Sequence, residues 1–291
     1  MSAVKISAGK NWIFMERKFL HIDVNNAFLS WTAVDRLKKG DKVDLRTIPA
    51  VIGGDEAKRH GIVVAKSNVA KKFGIQTAEP LYMARRKCPS IIVIPGDFDL
   101  YRSCSNKLYK LFLEYTEKVE RFSIDECFLD LTEYLKPGVD LIKLGIEIKE
   151  RVKKEFGFTV NVGVSDDKIL AKIASDFEKP DKIHTLFKSE IKDKLWRLPV
   201  SEMFLVGKKS IPKLNRMGIR TVGDLANTDK AVLIKEFGKY GYTIWKYANG
   251  ESGEEVNYLP EKPKGIGNSI TLPYDVASLD ELEVTLVELV E

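Results

Sequence analysis

The chain has 291 residues, 44% of them hydrophobic and 31% charged, a balance that suits a soluble globular protein of two or three domains and excludes a disordered tract. No apolar run approaches the ~18 residues that span a bilayer, and the N-terminus lacks the apolar core of a signal peptide, so a cytoplasmic protein with no membrane partner is expected. The net charge of +5 gathers in two places, eight basic residues against one acid from Lys58 to Lys87 and five against none from Lys208 to Arg220. Either run alone reads as a solvated surface; the two together point to a polyanion, nucleic acid first.

In chain order, RKFLHIDV (17–24) alternates as a strand with Phe19, His21 and Asp23 on one face. A helix is predicted from about Ala27 to Lys39, stopped at Gly40. IPAVIGG and GIVVAKS read as short strands, VAKKFG and EPLYMARRKCP as short helical pieces, and IIVIPG as another strand. Residues 99–117 carry Leu100, Cys104, Leu108 and Leu111 at helical spacing. A strand pair is centred on SIDECFLDLT (123–132), followed by a helix over about 138–156, the strand FTVNVGV and a helix in SDDKILAKIASDFEKP. This βαββαβ order predicts an α+β, ferredoxin-like domain, an antiparallel sheet with helices on one face. Residues 185–257 read as a small helical domain, YLPEKPKGIG as a Pro/Gly/Lys-rich linker, SITLPYD as the start of a strand, and SLDELEVTLVELVE as a helix with Ser278 and Glu281 at capping-box spacing.

Cys88, Cys104 and Cys127 are too far apart in sequence for a zinc ligand pair and read as reduced, mostly buried thiols. His21, His60 and His184 are equally scattered, so chemistry must rest on carboxylates, lysines or backbone. Asp125 and Glu126 stand side by side in SIDE, and strand neighbours point to opposite faces. A turn at Ile124 to Glu126 would bring both to one sheet edge, where Asp23 can join them. Three such carboxylates repel unless cations neutralise them, and hard oxygens select Mg²⁺ or Mn²⁺. An Asp-Glu pair in a turn is, taken alone, ordinary solvated surface.

HIDVNNAF, GIVVAKSNVAKKFGIQTAEP, YRSCSNKL, YTEKVERFSIDECFLD, VNVGVSDDKILAKIASDFEKP and LVGKKSIPKLNRMGI stand in the order found in Y-family, lesion-bypass DNA polymerases. The chain resembles the bacterial DNA polymerase IV branch of that family over about residues 17–291. The resemblance implies an N-terminal extension (1–16), a catalytic palm (17–27 and 98–184), α/β fingers (28–97), a helix-hairpin-helix thumb (185–257), a linker (258–268) and the beginning of a little finger (269–291). With only that beginning present, the sequence reads as a truncated or naturally shortened form, and Met15 as a candidate biological start.

What the resemblance implies for chemistry is template-directed, low-fidelity DNA synthesis without proofreading. Asp23, Asp125 and Glu126, with the carbonyl of Val24, would hold two Mg²⁺, with Mn²⁺ as substitute. Phe28 would lie under the sugar and exclude a 2′-hydroxyl, unless it is plain helix core. Asn68, Lys71 and Lys179 fall at triphosphate-contacting positions, although Asn68 replaces a tyrosine and Lys71 an arginine whose bidentate fork it lacks. Ile62 and Val64, alternate positions of one strand, correspond to smaller roof residues over the nascent pair, and Asn25 replaces the second acid of the commoner Asp-x-Asp. Lys168, Lys172, Ser175 and Lys179 fall on one helix face. Val206, Gly207, Lys208 and Lys209 would offer backbone N–H groups and charge to a DNA phosphate, with Leu205 where the motif usually has glycine. Implied partners are primer-template DNA, deoxynucleoside triphosphates and a sliding clamp bound through the missing C-terminal part; a monomer is expected. A nucleotide cyclase-like two-metal enzyme and a catalytically weakened DNA-binding relative are the alternatives.

Overall fold

The computed structural model describes residues 3–8, 11–56, 61–135, 138–259 and 264–290, the first fifteen positions by backbone alone. The chain opens with a hairpin of β1 (Ala3–Ala8) and β2 (Asn11–Glu16), Ala3 paired with Glu16, where no sequence pattern announced strands. Then follow β3 (Phe19–Val24), α1 (Ala27–Lys38), β4 (Ala50–Gly53), β5 (Val63–Lys66), α2 (Asn68–Lys72), α3 (Leu81–Lys87), β6 (Ile92–Pro95) and α4 (Phe98–Phe112). Next come β7 (Val119–Arg121), β8 (Glu126–Asp130), α5 (Leu141–Phe156), β9 (Val160–Ser165), α6 (Lys168–Asp176) and β10 (Ile183–Thr185). Four further helices are α7 (Ile211–Arg216), α8 (Val222–Asn227), α9 (Lys230–Phe237) and α10 (Lys239–Ala248), and α11 (Leu279–Val290) comes last. No helix among the described residues is long and apolar enough to cross a membrane.

The chain divides into two compact units, one formed by 1–25 and 105–259, the other by 26–104 and 260–291. In the first, five strands run in the order β10-β9-β3-β8-β7, the ferredoxin-like arrangement with one strand added at an edge. β3 lies centrally, antiparallel to β8 and β9, and all six of its residues are buried. Helices cover both faces, where the sequence pattern predicted one. Gly145 of α5 sits against Val162 and Val164 of β9, whereas Gly163 between them lies under α6, and side chains alternate along a strand. A Cβ on Gly163 would stand 1.9 Å from the carbonyl of Ala171, so only glycine lets α6 approach this closely.

α6 has eight buried residues because it is covered twice. Ala171 joins Phe19 and Phe128 on the sheet. Ile169, Leu170, Ile173 and Ala174 join a second cluster with Leu195, Leu214, Leu225, Leu233 and Ile244 from the helical segment. Each fully buried Leu or Ile contributes ~1.5–3 kcal/mol of apolar transfer. Polar caps set the helix starts: Asp167 accepts from the N–H groups of Ile169 and Leu170, Asp140 from those of Ile142 and Lys143, and Thr221 and Asp224 form a reciprocal box.

In the other unit the sheet order is β5-β4-β6, with β4 antiparallel to β5 and parallel to β6. The predicted strand in SITLPYD is not formed: residues 269–275 are irregular. A lone strand has no ladder to satisfy its N–H and C=O groups. α11 does form, with Glu281 N–H bonded to Ser278 Oγ at 3.3 Å, and none of its residues is buried.

Candidate active site

Register brings the first two carboxylates together. Asp23 of β3 pairs directly with Glu126 of β8 on one side and with Asn161 of β9 on the other, so the three side chains share the α6 face. His21 pairs with Phe128 and Gly163 one step back on that face. Glu126 opens β8, while Asp125 ends the turn before it, closed by Phe122 N–H and Ser123 N–H on the carbonyl of Glu126 at 3.0 and 3.2 Å. The turn thus lies slightly earlier than 124–126. Asp125 is tied to β3 through its carbonyl, which accepts from Val24 N–H at 3.1 Å. Its carboxylate accepts from Ser123 Oγ at 2.6 Å.

Lysines face the other two carboxylates. Lys172 Nζ lies 2.8 Å from Glu126 Oε2, and Lys179 Nζ lies 2.8 Å from both Asp23 Oδ2 and Asp176 Oδ1. No group of three or more His, Cys, Asp and Glu is gathered as a metal cluster among the described residues. Burial pushes Asp23 up to about 6 against the pull of Lys179. Burial also opposes ionisation of Glu126, but bonds from His21 and Lys172 prevail and bring it down to about 2.

His21 is a site residue that sequence reading missed. Its ring is fully buried, Nδ1 lying 2.8 Å from Ser175 Oγ and Nε2 3.2 Å from Glu126 Oε2, and burial lowers its pKa to about 4. A carboxylate only accepts, so Nε2–H donates to Glu126, while Ser175 Oγ, which donates to the carbonyl of Lys172 at 2.7 Å, lies against Nδ1. The available signal was its place two residues before Asp23, on the same strand face.

Two sequence expectations about α6 change. Lys179 is not on the helix, which ends at Asp176. Lys168 and Lys172 are buried ion-pair partners rather than a basic face open to a phosphate-bearing substrate, Lys168 meeting Glu120 at 2.7 Å. In the other unit Phe28 is half-buried and stacks on Tyr101, ring centroids 4.5 Å apart, while also packing against the Leu29, Ala33 and Ile52 core. Asn68 opens α2 and accepts from Asn26 Nδ2 at 3.3 Å; Lys71 in the same helix is exposed. Ile62 precedes β5 as an isolated bridge to Pro80, and Val64 lies within the strand.

In the helical segment Leu205 takes φ +71°, the left-handed conformation a glycine would adopt, and Tyr240 Oη donates to its carbonyl at 3.1 Å. The turn is therefore formed without glycine. Gly207, Lys208 and Lys209 are exposed. Val206 is buried and its N–H is spent on Met203 O at 2.9 Å, so that amide is not offered to a phosphate.

A carboxylate pair on a ferredoxin-like sheet, backed by lysines and followed by a helical segment, is the geometry to set beside known proteins. The impB/mucB/samB family profile matches residues 22–176. The chain is 49% identical over 277 residues to the DNA polymerase IV of Clostridium acetobutylicum, covering 95% of this chain and 70% of that protein. The chain belongs to the Y-family of DNA polymerases.

A Y-family polymerase chimera superposes with a TM-score of 0.83 at 26% identity, over 94% of this chain and 78% of the other. The insertion ternary complex of Dbh DNA polymerase gives 0.72 at 27% identity, over 82% and 69%. The chain is a template-directed DNA polymerase of the translesion type. DNA polymerases transfer nucleotides with divalent metal ions.

Proposed function

We propose that this chain adds deoxynucleotides to a primer 3′-hydroxyl with two Mg²⁺ held by Asp23, Asp125 and Glu126 and by the carbonyl of Val24. The observation that carries this reading is the direct pairing of Asp23 with Glu126 on one sheet face, with Asp125 fastened to Val24 one step further along. The donors are all hard oxygens, the set Mg²⁺ and Mn²⁺ prefer. Two ammonium groups at 2.8 Å already balance Asp23 and Glu126, which is the charge compensation a divalent ion would bring. When bound, the metals supply a lowered pKa at the attacking hydroxyl and neutralisation of the triphosphate.

The chain's own residues do the rest. His21 fixes the orientation of Glu126 through Nε2–H and is itself fixed by Ser175. Lys179 contacts the triphosphate of the incoming nucleotide; of the other unit's residues, Lys71 and Asn68 serve as triphosphate contacts, Phe28 excludes a 2′-hydroxyl, and Ile62 and Val64 roof the nascent pair. The residue ranges 17–27 with 98–184, 28–97 and 185–257 act as palm, fingers and thumb. Gly207, Lys208 and Lys209 hold a duplex phosphate without reading sequence.

Primer extension by the purified chain tests this. Extension should depend on Mg²⁺ or Mn²⁺, require a template, and fall by at least about a thousandfold in Asp125→Ala. Template-free pyrophosphate release from a nucleoside triphosphate, or DNA binding with no extension, would refute it.

A further inference from the structure

Lys179 stands on the short segment between α6 and β10, and two buried asparagines hold that segment. Asn161 is fully buried and saturated. Its Nδ2 donates to Ser175 O at 2.9 Å and to Glu178 O at 2.6 Å, while its Oδ1 accepts from Lys182 N–H at 3.2 Å and from Asn25 Nδ2 at 3.1 Å. Asn25 Oδ1 accepts from Asp181 N–H at 2.8 Å and from Thr159 Oγ1 at 2.9 Å. The two amides thus grip residues 178, 181 and 182, on both sides of Lys179. From the outside, Asp181, at φ +60°, is clamped by Lys149 Nζ at 2.7 Å and Lys153 Nζ at 2.9 Å.

We propose that Asn25 and Asn161 are a matched amide pair whose role is to position Lys179, so that Asn25 is a positioning residue of this polymerase and its carboxamide is required. Aspartate at 25 keeps both acceptor functions but replaces the donor facing Asn161 Oδ1 with another acceptor. Flipping Asn161 does not repair this. Its NH₂ would then meet Lys182 N–H, donor against donor, and its oxygen would meet the carbonyls of Ser175 and Glu178. A buried amide network of this kind fails as a unit. The inference rests on the reading of Lys179 as a triphosphate contact.

Steady-state primer extension by the full chain at varied nucleotide concentration separates the two. Lys179→Ala should raise the nucleotide KM by about tenfold, and Asn25→Asp, Asn25→Ala and Asn161→Ala should each raise it several-fold with kcat changed by less than about threefold. Because the pair acts through Lys179, adding Asn25→Ala to Lys179→Ala should change KM by less than about twofold. Should a buried variant fail to fold, Asp181→Asn, which loosens the clamp from the surface, is expected to shift KM in the same direction. Effects of Asn25→Ala and Lys179→Ala that multiply, or a lowered Tm with KM unchanged in every folded variant of the pair and clamp, would overturn the positioning role alone. An unchanged KM in Lys179→Ala would overturn the reading of Lys179 and this inference with it.

Discussion

Asp23 and Glu126 are neighbours on one sheet face, yet their environments drive them apart. Glu126 receives His21 and a buried lysine, whereas Asp23 shares Lys179 with Asp176 and is the more deeply buried of the two. An aspartate raised from 3.8 to about 6 binds its proton more tightly when folded than unfolded. Between those values the folded state holds more protons, so its stability falls as pH rises through that window and the loss is complete above it. Asp23 thus weakens the metal-free fold at neutral pH. Asp23→Asn is expected to abolish extension while raising the Tm of the metal-free protein at pH 7, where each kcal/mol corresponds to ~2–4 °C in a domain of this size. Thermal unfolding at pH 4 and pH 7 checks the sign: the stabilisation should be larger at pH 7, and equal shifts at both would refute it.

Among the elements, α6 and the turn before α7 show opposite ways of meeting a backbone demand. At Gly163 the demand is met by glycine, where any Cβ would collide with Ala171 O. At Leu205 it is not, since a left-handed, half-exposed leucine carries strain of ~1–2 kcal/mol that glycine would relieve. Leu205→Gly gives up part of that gain to unfolded-state entropy and should raise Tm by ~1–3 °C with extension unchanged. A lowered Tm in a thermal melt would show that the leucine side chain is needed there. The sequence placed Leu205 where the motif usually has glycine but not the conformation it adopts, because its φ of +71° is a property of the folded backbone. Likewise the strand-like pattern of SITLPYD could be read locally, while the pairing partner it needs is a property of other residues. β10 was missed for the converse reason: three half-buried residues, Ile183 to Thr185, carry little pattern and are recruited by a parallel partner, β9.

For the whole molecule, the order of strands and helices was legible from alternation and helical spacing, and it yields the observed β9-β3-β8-β7 core of the sheet. That Asp23 and Glu126 lie side by side was legible from the turn expected near 124–126 beside the end of β3, and β3–β8 register pairs them directly. The roles of His21 and Asn161 were not legible, since each has a decisive partner more than a hundred residues away, as in the 154-residue separation of His21 and Ser175 and the 136-residue separation of Asn25 and Asn161. The second face of the sheet was missed because α6 owes its burial to the helical segment that follows it. The central claim is that residues from β3, from the turn before β8 and from the start of β8 serve one pair of metal ions. The most direct measurement is the anomalous scattering of Mn²⁺ in crystals of the chain with primer-template DNA and a nucleotide. The account predicts two Mn²⁺ peaks bonded to Asp23, Asp125 and Glu126, with Asp125 released from Ser123. Peaks that leave Asp125 on Ser123 and lie away from Asp23 would contradict it.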